Sequence, residues 1–147
     1  MNPWIILTGA SAVGLVAGLT PTIAPAFAPG YSDTIEGCRV TDGDTIRCRD
    51  ERVRLLGIDA PEMPGHCSAH RRCAPGDPYT SAASLRSAMT GSLRIERVGD
   101  DRYGRTLAIV ASGRGDLSCW QLKHDQAIYK SQWDNGYLIA RLCPSAI

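Results

Sequence analysis

The run Val53-Arg54-Leu55-Leu56-Gly57-Ile58-Asp59-Ala60-Pro61-Glu62 leads from an apolar strand into a turn. The turn holds two carboxylates three residues apart, with an arginine five residues before the first. Residues 55–58 have the continuous apolar character of a buried strand, and Ala60-Pro61 ends it because proline cannot donate to a ladder. An unpaired carboxylate is costly to bury, so acids at such a strand end need a cation, an arginine or a phosphate beside them. Strict alternation puts Arg54 and Asp59 on opposite faces of a regular strand. A bulge or early strand end is therefore expected, and Gly57 is the residue that permits it.

Upstream, residues 35–41, Asp42-Gly43 and residues 44–49 read as a hairpin, because Asp-Gly between alternating strands is a strong turn signal. With Gly43 as pivot, Cys38 faces Cys48 and Val40 faces Ile46, while Arg39, Thr41, Arg47 and Arg49 fall on the other side. Asp50-Glu51 turns the chain into the strand at Val53, giving a three-stranded meander. Downstream, residues 63–76 form a loop with no periodicity. Asp77-Pro78 then starts a helix, with Asp as cap and Pro in the first turn, running to Thr90 and closed by Gly91. Residues 93–98 alternate as a fourth strand, 99–104 turn, and 105–111 form a fifth. Residues 116–123 predict a second helix and 133–142 a short third. Five short strands with a helix between the third and fourth is the layout of an OB-type barrel, an α+β fold that is mainly β.

Composition sets the compartment. Residues 4–32 carry no charged side chain, and 5–24 are apolar enough for a signal peptide or a membrane helix. Ala26-Phe27-Ala28 has the form of a cleavage site, although Pro29 follows it and no Lys or Arg precedes the apolar run. Residues 1–32 thus read as a signal peptide or an N-terminal membrane anchor with linker, and 33–147 as the folded domain. The 6 cysteines agree with an oxidising, extracytoplasmic setting. Cys38–Cys48 and Cys67–Cys73 pair by local spacing, and Cys119–Cys143 follows by elimination. His66, Cys67, His70 and Cys73 could instead gather zinc, but a bridge with solvated histidines suits that compartment better. The 16 basic residues, all arginine except Lys123 and Lys130, nearly balance the 15 acidic ones. Overall charge gives no strong pull toward a polyanion, so any nucleic-acid binding must come from local placement.

Asp42-Gly43-Asp44-Thr45, then residues 54–62, then Asp101-Arg102-Tyr103-Gly104-Arg105 resemble the staphylococcal-type nuclease (thermonuclease) family, in its order and spacing, over about residues 35–129. The resemblance implies a five-stranded OB-fold barrel with about three flanking helices. It implies that Asp44 and Asp59 ligate a calcium ion with the backbone carbonyl of Ala60, where many members carry threonine. Glu62 corresponds to the residue that activates the attacking water, Arg54 and Arg105 to the arginines on the scissile phosphate, and Tyr103 to a nucleotide-contacting tyrosine. Asp42 is expected to shape the turn.

The chemistry is coherent without the family. Phosphodiester cleavage must neutralise charge growing on phosphate oxygens, and arginine offers a planar fork that never deprotonates. Calcium prefers oxygen ligands and retains waters. Glu62 could take a proton from water. These residues predict a calcium-dependent nuclease acting on DNA, RNA or both, secreted or tethered to a membrane, and monomeric. The rival is a non-catalytic nucleic-acid-binding OB module, which loss of a ligand acid, Glu62 or an arginine would favour. Asp44 and Asp59 are expected at strand ends, outside the core.

Overall fold

A computed structural model describes residues 30–147. The expected leader lies almost wholly outside the described residues. Among those described, no helix is long and apolar enough to cross a membrane.

The five expected strands are present as β2 (Cys38–Asp42), β3 (Thr45–Cys48), β4 (Glu51–Leu55), β6 (Leu93–Asp100) and β7 (Thr106–Ser112). Two short additions, β1 (Asp33–Ile35) and β8 (Gly115–Asp116), extend the sheet, whose order is β1-β6-β7-β4-β3-β2 with β8 on β7. The first expected strand is broken at Glu36-Gly37. Its leading part pairs with β6, Ile35 opposite Leu93, while the rest pairs with β3. Because β1 and β2 are consecutive in the chain yet stand at the two ends of the strand order, the sheet curls around its core as an OB-type barrel. One pairing is parallel, β4 with β7, Arg54 opposite Leu107.

The hairpin has the expected register, Cys38 opposite Cys48 and Val40 opposite Ile46. Near the turn it departs from symmetry. Asp42 pairs with Thr45, so Thr41 is an extra residue and the turn is Gly43-Asp44 rather than Asp42-Gly43. A Cβ on Gly43 would stand 2.0 Å from Ser81 Oγ and 2.7 Å from Ala60 Cβ, so only glycine lets Ser81 and Ala60 pack here.

Helix α1 (Pro78–Ala88) is capped by Asp77, whose side chain accepts the Thr80 N–H at 2.6 Å. It buries Ala82 and Leu85 on the barrel and stops at Ala88, two residues earlier than expected. Helix α2 (Leu117–Lys123) is capped by Asp116. The weak third helix is two short 3-10 turns followed by α3 (Leu138–Leu142). Buried Asp134 organises this end, accepting from Tyr129 Oη at 2.8 Å, Ile139 N at 2.9 Å and Ala140 N at 3.0 Å. All three disulfides form as paired from the sequence, Cys38–Cys48, Cys67–Cys73 and Cys119–Cys143. The last ties α2 to the C-terminal end of α3.

Candidate active site

The strand at Leu55 ends early, as the placement of Arg54 and Asp59 requires. Gly57, at φ +72°, breaks it, and the chain resumes as β5 (Ile58–Asp59), paired with β9 (Ile128–Tyr129). A Cβ on Gly57 would meet Ile139 Cγ1 at 2.9 Å, so space and backbone conformation both demand glycine. Gly57 also binds the C-terminal segment, donating to the Trp133 carbonyl at 3.0 Å and accepting from Lys130 N at 2.8 Å.

This break brings three charged groups together. Arg54 donates from Nη1 to Asp44 Oδ1 at 2.7 Å and from Nη2 to the Ile58 carbonyl at 3.4 Å, and Asp59 Oδ1 lies 3.6 Å from Nη2. Asp44 also accepts from Thr45 Oγ1 at 3.0 Å and, through Oδ2, from the Ala60 backbone N–H at 2.9 Å. Asp42 shapes the turn by accepting the Asp44 N–H at 3.1 Å. The two aspartates are not outside the core. Asp44 is 3% and Asp59 0% exposed, because the irregular turn and the break at Gly57 lead both inward. Burial raises the Asp44 carboxyl above its ordinary range although Arg54 opposes the shift.

Asp59 Oδ2 is buried and has no hydrogen-bond partner. Glu96 Oε2 and Gln121 Oε1 share that condition, but the Asp59 oxygen belongs to a carboxylate that shares Arg54 with Asp44, and there it suits a cation. Two carboxylates and the Ala60 carbonyl are hard oxygen donors of the kind calcium takes. Among the described residues, no group of three or more His, Cys, Asp or Glu is arranged to hold a metal ion. Backbone carbonyl and water would have to complete a shell begun by the two aspartates. Cys67 and Cys73 are bonded to each other, which removes both from any zinc set.

Glu62 stands past Pro61 at the rim, its Oε1 2.9 Å from Arg71 Nη1. The other Arg71 nitrogen, Nη2, donates to Asp59 Oδ1. Arg105, immediately before β7, is held by Asp101. Its backbone N–H donates to Oδ1 at 3.0 Å and its Nε to Oδ2 at 2.7 Å. Burial pulls the Asp101 carboxyl up, but the N–H groups of Arg105 and Tyr103 outweigh it and hold the carboxyl below its usual range. Tyr103 is 60% exposed, with the Arg105 guanidinium 5.5 Å from its ring. Arg54, Glu62, Tyr103 and Arg105 open onto one cleft of about 980 Å³, and Asp44, Asp59 and Ala60 lie behind its wall.

Residues 52–136 match the family described as Staphylococcal nuclease homologue. The chain belongs to this family. It is 42% identical over 84 residues to a thermonuclease of Staphylococcus intermedius, covering 51% of this chain and 46% of that one. Against the succinoglycan biosynthesis protein ExoI of Rhizobium meliloti the identity is 32% over 111 residues, 73% of this chain and 58% of the other. An uncharacterized endonuclease of Haemophilus influenzae is 27% identical over 108 residues, 70% and 56% of the two chains. The chain spans about half the length of these relatives.

Within this nuclease-homologue fold, three residues of the site carry no signal strong enough to find from sequence. Arg71 lies in an aperiodic loop. Trp133 comes from the C-terminal segment, yet its ring faces both Arg54 and Arg71, each guanidinium 5.2 Å from the centroid. Asp101 stands inside a quoted motif, but its grip on Arg105 depends on how the turn closes, with Gly104 N donating to the Asp101 carbonyl at 3.0 Å.

Proposed function

We propose that this domain, residues 33–147, hydrolyses phosphodiester bonds of DNA, RNA or both in a calcium-dependent reaction outside the cytoplasm. The observation that carries the reading is the convergence of Arg54, Arg105 and Glu62 on one cleft backed by two buried aspartates, one with an unpartnered oxygen. Arg105 is oriented before any substrate arrives, since Asp101 fixes its fork. A preset fork loses little reorganisation energy as charge builds on phosphate oxygens. Arg54 serves from below, positioned by Asp44. Glu62 accepts the proton of the attacking water. Asp44, Asp59 and the Ala60 carbonyl would hold calcium, which when bound supplies Lewis-acid polarisation of the phosphoryl oxygen. Tyr103, exposed at the rim, would meet the nucleotide. By family resemblance the products carry 3′-phosphate and 5′-hydroxyl ends. Three disulfides support an oxidising compartment, where the chain would act as a monomer, secreted or tethered through residues 1–32.

The test is cleavage of single- and double-stranded DNA and of RNA by the full chain, with calcium and with a calcium chelator, and end-group analysis of the products. Calcium-dependent cleavage is expected. Binding of nucleic acid with no cleavage under any condition would leave the non-catalytic OB module as the answer.

A further inference from the structure

Arg71 is the one arginine at this site that comes from neither barrel nor hairpin. It is carried on the loop closed by Cys67–Cys73, and its N–H donates to the Ser68 carbonyl at 3.0 Å inside that ring. From there it reaches both acids at once, Nη2 on Asp59 Oδ1 and Nη1 on Glu62 Oε1 at 2.9 Å. Its side chain is 34% exposed, whereas that of Asp59 is fully buried. Glu62 opens onto the cleft directly, but the buried Asp59 is reached from it past Arg71.

We propose that Arg71 is an internal competitor for the cation, a guanidinium that holds Asp59 and Glu62 and gives way when a divalent ion takes the Asp59 carboxylate. This rests on the calcium reading given above.

Charge supports the exchange. Asp44, Asp59 and Glu62 carry three negative charges, which Arg54 and Arg71 reduce to one. If a divalent cation joins while Arg71 withdraws from the acids, three negative charges meet three positive ones from Arg54 and the ion. If Arg71 stays, the set is over-compensated by one, and guanidinium and ion, two like charges, must share the two oxygens of one buried carboxylate. Withdrawal does not strand the guanidinium, because it already lies over Trp133 on the cleft wall. The short disulfide ring limits how far the loop strays, so the competitor stays within reach. An ion that must displace a resident group binds more weakly by the fraction of molecules in which the site is open, so a carboxylate open in about one molecule in ten binds about 10-fold more weakly.

The experiment is calcium titration by calorimetry at fixed ionic strength, on the full chain, for wild type, Arg71→Ala, Arg71→Lys and Arg52→Ala. Arg71→Ala should bind calcium about 10-fold more tightly, and Arg71→Lys should fall between, since one ammonium cannot hold both acids in a fork. Arg52, exposed on the wall of the same cleft, controls for the general loss of a positive charge and should change affinity by less than about 2-fold. Thermal melts establish that each variant is folded. Equal or weaker calcium binding in both Arg71 variants would overturn the competitor while wild-type binding leaves the calcium reading standing. Equal tightening by Arg52→Ala would reduce the effect to bulk charge and also overturn it. Absence of calcium binding in every variant would overturn both readings together. Binding in Arg71→Ala but not in wild type would support the competitor in its strongest form.

Discussion

Two arginine–carboxylate clusters stand on this barrel, built from the same chemistry and put to different use. In one, Arg97 on β6 grips Glu51 with two bonds of 2.7 Å each and reaches Asp33 at 2.8 Å. All three side chains keep solvent contact, 38%, 28% and 58% exposed. In the other, Arg54 and Arg71 face Asp44, Asp59 and Glu62, with both aspartates buried and one oxygen of Asp59 unpartnered. Each cluster holds one acid more than it has arginines. The first leaves that excess in solvent and fastens β1, β4 and β6, whereas the second buries two of its acids behind a cleft. Burial with incomplete satisfaction, rather than the mere pairing of arginine with acid, distinguishes the proposed active site from the staple.

Glu62→Gln tests this most severely. The amide keeps the shape and still accepts a hydrogen bond from Arg71, but it cannot take a proton from water. Turnover should fall by about 10²–10⁴-fold while nucleic-acid binding persists. Arg97→Ala, the matching loss in the exposed cluster, should leave turnover unchanged. Near-wild-type turnover in Glu62→Gln would remove the distinction between the clusters.

Stability offers the next contrast. Asp44→Ala strips Arg54 of its shortest partner and orphans the Ala60 N–H in a buried place. Breaking a buried pair on one side costs about 3–5 kcal/mol, measurable by urea denaturation of the full chain. A cost below about 1 kcal/mol would place this network with the surface pairs.

Most of what could be read from residues alone is local in the chain, the Cys119–Cys143 bridge, reached by elimination, being the exception. Cys38 opposite Cys48, the short Cys67–Cys73 ring, the Asp77 cap and the break at Gly57 each follow from neighbours a few residues apart. The irregular turn at Thr41 escaped, because what draws it tight is remote. Gln121 on α2 donates to the Gly43 carbonyl at 2.7 Å, and Ser81 on α1 leaves no room for a side chain at Gly43. That same turn leads Asp44 inward, which is why an acid expected at the edge is buried. The candidate site was legible as a set of residue types but not as a network. Arg71 and Trp133 meet it only through loop closure and the C-terminal crossing at Gly57, and neither leaves a periodic trace.

Asp116 supplies an intermediate case, a buried acid with no arginine at all. Its oxygens accept from Cys119 N at 2.9 Å and Tyr31 Oη at 3.3 Å, and burial pushes its carboxyl up to about 6. The native state thus keeps a proton that the unfolded chain, at 3.8, gives up sooner. The contribution of this group is fully present below about pH 3.8 and is lost as pH rises toward about 6, on the order of 2–3 kcal/mol. Asp116→Asn retains a capping oxygen and cannot ionise. Melting temperatures from pH 4 to 7 should decline less in Asp116→Asn than in wild type. Parallel curves would show that the ionised form is satisfied in the fold.

The smallest effect belongs to the exposed staple, and its pH dependence runs the other way. The hydrogen bonds from Arg97, against a lesser pull from burial, hold the Glu51 carboxyl below its ordinary 4.5. The stability gained from that pairing is therefore present above about pH 4.5 and is lost as pH falls through the lowered value. Its size is limited by solvent, since exposed pairs contribute about 0–1 kcal/mol, and the two-bond grip on Glu51 places this one toward the upper end. Arg97→Ala should cost up to about 1 kcal/mol at pH 7 and progressively less as Glu51 protonates in both proteins. Raising the salt concentration at pH 7 should shrink the difference as well, because an exposed pair is screened and a buried one much less so. Denaturant titrations of wild type and Arg97→Ala at pH 7 and pH 3.5, each at two salt concentrations, check both trends. A salt-insensitive loss of several kcal/mol would mean that Arg97 is structurally closer to Arg54 than its exposure indicates, and the contrast between the clusters would have to rest on the unpartnered oxygen of Asp59 alone.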